Sequence, residues 1–120
     1  MTAVREIMSK PVITLTPQKT AGDAAKLMNE KGIETIVITW GDAIVGIITE
    51  KDLVRKVMAM NLPASTKIRD FMANPVITVE ANASVRKAKD TMNRHNVKRL
   101  PVIEKGKLIG IITSSDIIKN

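Results

Sequence analysis

The chain has 120 residues, with 19 Lys and Arg against 12 Asp and Glu, a formal net charge of +7, and no cysteine. Without cysteine there is no disulfide, thiolate metal site or cysteine nucleophile, and no apolar run approaches the roughly 20 residues that span a bilayer. The charge favours phosphates and other anions, but it is scattered along the sequence. Trp40 and Phe71 are the only aromatics, so a row of stacking platforms for single-stranded nucleic acid is excluded. Met1-Thr2-Ala3-Val4-Arg5-Glu6 lacks the apolar stretch of a signal peptide, and a soluble cytoplasmic protein is expected.

Taken in order, Val4–Met8 is a short amphipathic piece that Pro11 stops. Val12-Ile13-Thr14-Leu15 reads as a strand. Thr20 stands three residues before Asp23, a capping-box spacing, and Ala21, Ala24, Ala25 and Met28 give the apolar stripe of a helix that ends at Lys31-Gly32. Glu34–Trp40 and Ala43–Thr49 are β-branched runs around Gly41-Asp42, and they predict an antiparallel hairpin. A second helix follows, with Leu53, Val54 and Val57 on one side, and Asn61–Thr66 has the composition of a linker.

The second half repeats the first at a spacing of 64 residues. Ile68–Met72 matches Val4–Met8, and Val76-Ile77-Thr78 matches Val12-Ile13-Thr14. Ser84 caps a helix carrying Val85, Ala88 and Met92. Leu100–Ile103 and Leu108–Thr113 form a hairpin about Lys105-Gly106, and Asp116–Ile118 opens a last helix that ends at Asn120. Each half, residues 1–62 and 63–120, reads β-α-β-β-α and is too small to bury a sufficient core alone. The expected fold is α/β (α+β), with two pseudo-twofold repeats packed through their sheets into one module.

Both halves contain Gly-Ile-Ile-Thr-x-x-Asp, at Gly46–Asp52 and Gly110–Asp116. A Thr before a helix with an acid three residues on is by default a capping box. The same junction is an anion site, with unpaired N–H groups and a favourable dipole, and an Asp one turn in can accept two hydrogen bonds from a vicinal diol such as a ribose. Both readings stand on these residues.

The ordered set resembles a tandem pair of CBS domains, the Bateman module. It comprises Met8-Ser9-Lys10-Pro11-Val12-Ile13-Thr14 and Met72-Ala73-Asn74-Pro75-Val76-Ile77-Thr78, the helices with Met28 and Met92, Arg99-Leu100-Pro101-Val102, and both Gly-Ile-Ile-Thr-x-x-Asp segments. The resemblance covers nearly the whole chain. It implies a regulatory module that binds AMP, ADP, ATP or an S-adenosylmethionine-type compound as effector, with AMP-like ligands favoured, in the cleft between the repeats. It implies Asp52 and Asp116 on the ribose, Thr49 and Thr113 on ribose or phosphate, and Ile13, Thr14, Ile77, Thr78 and Pro101 against the base. Lys98 and Arg99 would hold phosphate. A homodimer of pairs and an effector protein are implied partners.

The halves differ where it matters. Glu34-Thr35 stands where the second half has Lys98-Arg99, and Val37 where it has Pro101. Glu34 repels a phosphate at close range, so unequal sites are expected, with Asp116 in the better one. His95, the sole histidine, lacks companions for a metal site and reads as a solvated helix-end residue. For Trp40, a core position and a dimer contact both fit. No Walker lysine motif, Gly-x-Gly-x-x-Gly or nucleophile–base set is present, so no catalytic residue, metal or required cofactor is expected. The alternative function is a basic scaffold or nucleic-acid-associated module with vestigial clefts.

Overall fold

The computed structural model describes residues 1–119, and the expected end of the last helix at Asn120 lies outside them. In the first half β1 (Thr14–Leu15), α1 (Ala21–Lys31), β2 (Thr35–Trp40), β3 (Ala43–Thr49) and α2 (Glu50–Asp52) follow one another. The second half repeats the order with β4 (Val79–Glu80), α3 (Val85–His95), β5 (Arg99–Glu104), β6 (Lys107–Thr113) and α4 (Ser114–Lys119). Two three-stranded sheets result, ordered β1-β2-β3 and β4-β5-β6. In each, the outer short strand runs parallel to its neighbour and the hairpin is antiparallel, as expected for a mixed α/β fold.

Local chemistry fixes the helix ends. The Thr20 hydroxyl accepts from the Asp23 backbone N–H at 3.1 Å, and Asp23 Oδ2 accepts from the Thr20 N–H at 2.9 Å. That backbone bond, then the hydroxyl, holds the Asp23 carboxyl below its usual pKa. Gly32 closes α1 in the left-handed conformation at φ 64°, where a Cβ is strained. Thr20→Ala is expected to cost about 1 kcal/mol of stability, the usual value of such a cap, measurable as a lower urea midpoint at unchanged slope.

The chain divides into two compact units, and they are not the two sequence repeats. One is Ile13–Val76; the other joins Met1–Val12 to Ile77–Asn120. The boundary at 62/63 divides the sequence pattern, whereas the fold exchanges the segment that leads each repeat. Ile68 and Phe71 lie in the core with Ile36, Ile38, Ile48, Ala24 and Met28. Val4 lies in the other core, with Leu100, Val102, Ile112, Ala88 and Met92. The exchange is reciprocal in detail. The Thr66 carbonyl accepts from Ala21 N–H at 2.8 Å, and the Thr2 carbonyl from Val85 N–H at 2.9 Å, so each entering segment satisfies a helix N-terminus in the other repeat.

Two expectations are corrected. The strand expected over Val76-Ile77-Thr78 lies further along, at Val79–Glu80. In the first half Val37 N–H donates to the Ile13 carbonyl at 3.4 Å and Thr14 pairs with Val37. The equivalent residue in β5 is Pro101, which has no N–H to donate, and pairing begins one residue later, Val79 with Val102. Second, Leu53–Met58 winds as a π-helix, with Ala59 N–H bonded to Val54 O and Leu62 N–H to Val57 O. The wider turn keeps Val57 buried but swings Val54 out to 60 % exposure, off the face expected to hold both. Of the two positions open for Trp40, the core is ruled out, since it is 59 % exposed at the hairpin end.

Candidate functional site

Each Thr-x-x-Asp segment sits where a strand ends and a helix begins. In the first, Asp52 Oδ2 accepts from the Thr49 N–H at 2.9 Å and lies 3.3 Å from the Thr49 hydroxyl, which accepts from the Asp52 N–H at 3.4 Å. In the second, Asp116 Oδ2 accepts from the Thr113 N–H at 2.9 Å and Thr113 Oγ1 from the Asp116 N–H at 3.2 Å. Both are capping boxes, so the default structural role is real in both copies. All four residues are half-buried, so the carboxylates stay partly open to solvent.

The register brings the other residues singled out in the sequence to the same place. Thr35 pairs with Thr49, and Arg99 with Thr113. The Glu34 carbonyl accepts from Glu50 N–H at 3.0 Å, and the Lys98 carbonyl from Ser114 N–H at 2.8 Å. The positions that differ most in charge therefore flank the two carboxylates. Thr14 is one strand further, opposite Val37, and Ile13 precedes it. Ile13-Thr14 and Thr49 thus lie on either side of β2 in one sheet. In the other unit Ile77-Thr78 runs into β4 and Pro101 is buried in β5 opposite Ile111.

The two sites differ beyond Glu34. Lys56 Nζ lies 3.4 Å from Asp52 Oδ1, and the Asp52 side chain is only 18 % exposed. The matching position in the second repeat is Asn120 by sequence, which carries no charge. Thr35 Oγ1 is buried with no hydrogen-bond partner among the described residues, an arrangement that costs stability unless something fills it.

The sequence reading missed the strip that closes each site's sheet. Ser9 and Ile111 exchange backbone hydrogen bonds at 2.8 and 3.0 Å; Ala73 and Ile47 do so at 3.0 and 3.1 Å. The adjacent methionines cover the motif glycines. A Cβ on Gly110 would stand 2.5 Å from Met8 Sδ, and one on Gly46 2.4 Å from Met72 Sδ. The motif glycine and the Met before each Pro are thus two halves of one contact, a signal present in the sequence as a doubled Met and a doubled Gly.

The family model described as "CBS domain" matches residues 4–59 and again 68–120. The chain belongs to the CBS domain family. This CBS pair is 42 % identical over 98 % of its length to the uncharacterized protein MK0525 of Methanopyrus kandleri, of which it spans 61 %. Among solved structures it is similar to a protein with CBS domains from Burkholderia ambifaria, at 37 % identity and TM-score 0.90, covering 98 % of this chain and 92 % of that one. It is also similar to the CBS domain pair of protein MJ0100, solved in complex with 5'-methylthioadenosine and S-adenosyl-L-methionine, at 32 % identity and TM-score 0.88, covering 98 % and 94 %. No helix among the described residues is long and apolar enough to cross a membrane.

Proposed function

We propose that this CBS pair is a cytoplasmic regulatory module that binds an adenosyl ligand, AMP-like in preference, and reports its occupancy to an effector protein, working as a homodimer of pairs. The observation that carries this reading is the doubled carboxylate at a strand-to-helix junction, beside Lys98-Arg99 in one copy only. Asp116 and Asp52 hold ribose hydroxyls, and Thr113 and Thr49 add a hydroxyl contact. Ile77, Thr78 and Pro101 in one site, Ile13 and Thr14 in the other, pack on the base. Lys98 and Arg99 neutralise the phosphate. The adenosyl ligands of the MJ0100 pair support the ligand class.

The first site, with Glu34 and the Lys56–Asp52 pair, takes a less charged adenosyl compound, and the Thr35 hydroxyl supplies it a polar contact. Ligand shifts the population between arrangements of the module only by its differential affinity for them, and the effector reads that shift. Titration calorimetry with AMP, ATP and S-adenosylmethionine tests the reading; no heat from any of them at millimolar concentration overturns it. Within it, Lys98→Ala is expected to weaken AMP by about tenfold, the value of one charge-assisted hydrogen bond, and to leave adenosine within a factor of about two. Equal losses for the two ligands would remove Lys98 from the phosphate.

A further inference from the structure

Arg5 and Arg69 are equivalent in the two repeats, and the fold presents them in the same way. Each sits in a one-turn helix of a leading segment, Val4–Glu6 or Ile68–Asp70. Each backbone N–H is held by the loop before a long helix: Arg5 donates to the Ala81 carbonyl at 3.0 Å, and Arg69 to the Pro17 carbonyl at 3.1 Å. Each guanidinium reaches the amide oxygen of the next residue in that loop. Arg5 Nη2 donates to Asn82 Oδ1 at 2.8 Å, and Arg69 Nη1 to Gln18 Oε1 at 3.5 Å.

What completes the two arrangements differs. Arg5 Nη2 also donates to Oε2 of Glu104, the last residue of β5. At the matching place, the end of β2, stands Trp40. The registers agree, since Glu104 pairs with Lys107 and Trp40 with Ala43 at the hairpin tips. Arg69 therefore lacks the acid that its counterpart has. Its one ion-pair neighbour among the described residues is Asp70, 3.9 Å away and itself open to solvent, a contact of little strength. The Arg69 side chain is 56 % exposed against 40 % for Arg5. A backbone difference accompanies this one. Ala81 N–H donates to the Ile103 carbonyl at 2.9 Å, whereas Pro17 has no N–H for the matching carbonyl of Thr39. Ile68 N–H donates to the Lys19 carbonyl at 2.8 Å, which joins the segments carrying Gln18 and Arg69. Lys19 and Lys67 on those segments keep the surroundings cationic against Asp42 and Asp70.

We propose that this end of the Ile13–Val76 unit docks an extended acidic segment of a partner protein, whose carboxylate takes on Arg69 the place that Glu104 holds on Arg5. An apolar residue beside that carboxylate would lie on the Trp40 indole, and a peptide N–H would meet the Thr39 carbonyl. The other unit supplies the template for the charged contact. Arginine binds carboxylates strongly and with defined orientation, and exposed Trp and Arg are the side chains that most often dominate the energy of an interface. The docking does not rest on an adenosyl ligand, because Trp40 and Ala43 lie at the opposite end of the β2–β3 hairpin from Thr35 and Thr49.

The test uses the full chain, without nucleotide, and a labelled peptide of alternating Leu and Glu, followed by fluorescence anisotropy at low and raised salt. Trp40 is the only tryptophan, so its emission and its indole N–H resonance report the site with unlabelled peptide. The Leu-Glu peptide is expected to bind, to shift the Trp40 emission to the blue, and to weaken as salt rises. Arg69→Ala and Trp40→Ala, both at exposed positions, are each expected to weaken it by about tenfold. Trp40→Glu is expected to weaken it by about tenfold or more, because the introduced carboxylate takes Arg69 as Glu104 takes Arg5. Lys107→Ala, at the tip of the other hairpin, is expected to change it by less than about twofold. No binding of the Leu-Glu peptide, equal binding of a Leu-Lys peptide, or unchanged binding in Trp40→Glu overturns the proposal. So does a Trp40 emission that shifts with protein concentration alone, which would mean that a second copy covers the site. Tighter binding of a single-stranded oligonucleotide, lost in Trp40→Ala, overturns it as well.

Discussion

Asp116→Ala is expected to weaken AMP binding by tenfold or more, about the contribution of hydrogen bonds to a charged group, and Asp52→Ala to weaken it less. The carboxylates are alike in their backbone bonds, both held at 2.9 Å by the Thr three residues earlier. Their surroundings differ. Asp52 is already engaged by Lys56 at 3.4 Å and has Glu34 at the neighbouring strand end, while Asp116 has Lys98 and Arg99 there. Either substitution also removes the carboxylate that accepts from the Thr N–H in the capping box, a hydrogen bond to a charged group worth about 1.5–3 kcal/mol. Both variants lose that cap, and Asp52→Ala loses the Lys56 pair as well, so each affinity is compared beside that variant's own stability. Calorimetry on both, with urea melts to verify folding, checks the prediction; equal losses of affinity would refute the inequality of the sites.

Gly110→Val is expected to destabilise the protein by about 1–3 kcal/mol, the range for forcing added carbons into a packed contact. The first added carbon would stand 2.5 Å from Met8 Sδ and 3.1 Å from the Ser9 carbonyl oxygen. The sulfur can move. The carbonyl cannot yield easily, since Ser9 is held to Ile111 by two backbone hydrogen bonds. Met8→Ala in the same chain is therefore expected to recover part of the loss but not all. A double-mutant cycle from urea midpoints measures it. Additive effects of the two substitutions would mean that Met8 and Gly110 do not touch.

Much of this fold was legible because its signals are local. Thr20, Asp23 and Gly32 bound α1 by capping chemistry alone, and Lys105-Gly106 turns its hairpin with two positive φ values, 52° and 77°, as a two-residue turn requires. The 64-residue repeat and the strand-end position of both Thr-x-x-Asp boxes were equally readable. What was not legible depends on partners distant in sequence. The shift of β4 follows from a proline on a neighbouring strand, not from anything in Val76–Glu80. The exposure of Val54 follows from a π-winding that periodicity at 3.6 residues per turn cannot signal. Repeat matching shows that Val4–Met8 and Ile68–Met72 are equivalent, but it is blind to which copy each one packs against.

The exchanged leading segments also set an order in time. Ile13–Val76 is one uninterrupted stretch, so every residue of its core has been made once Phe71 is added. The other unit begins with Val4 and cannot finish until Ile112 arrives, with a completed unit spliced into its middle. Val4 is thus made well before the rest of the core that it joins.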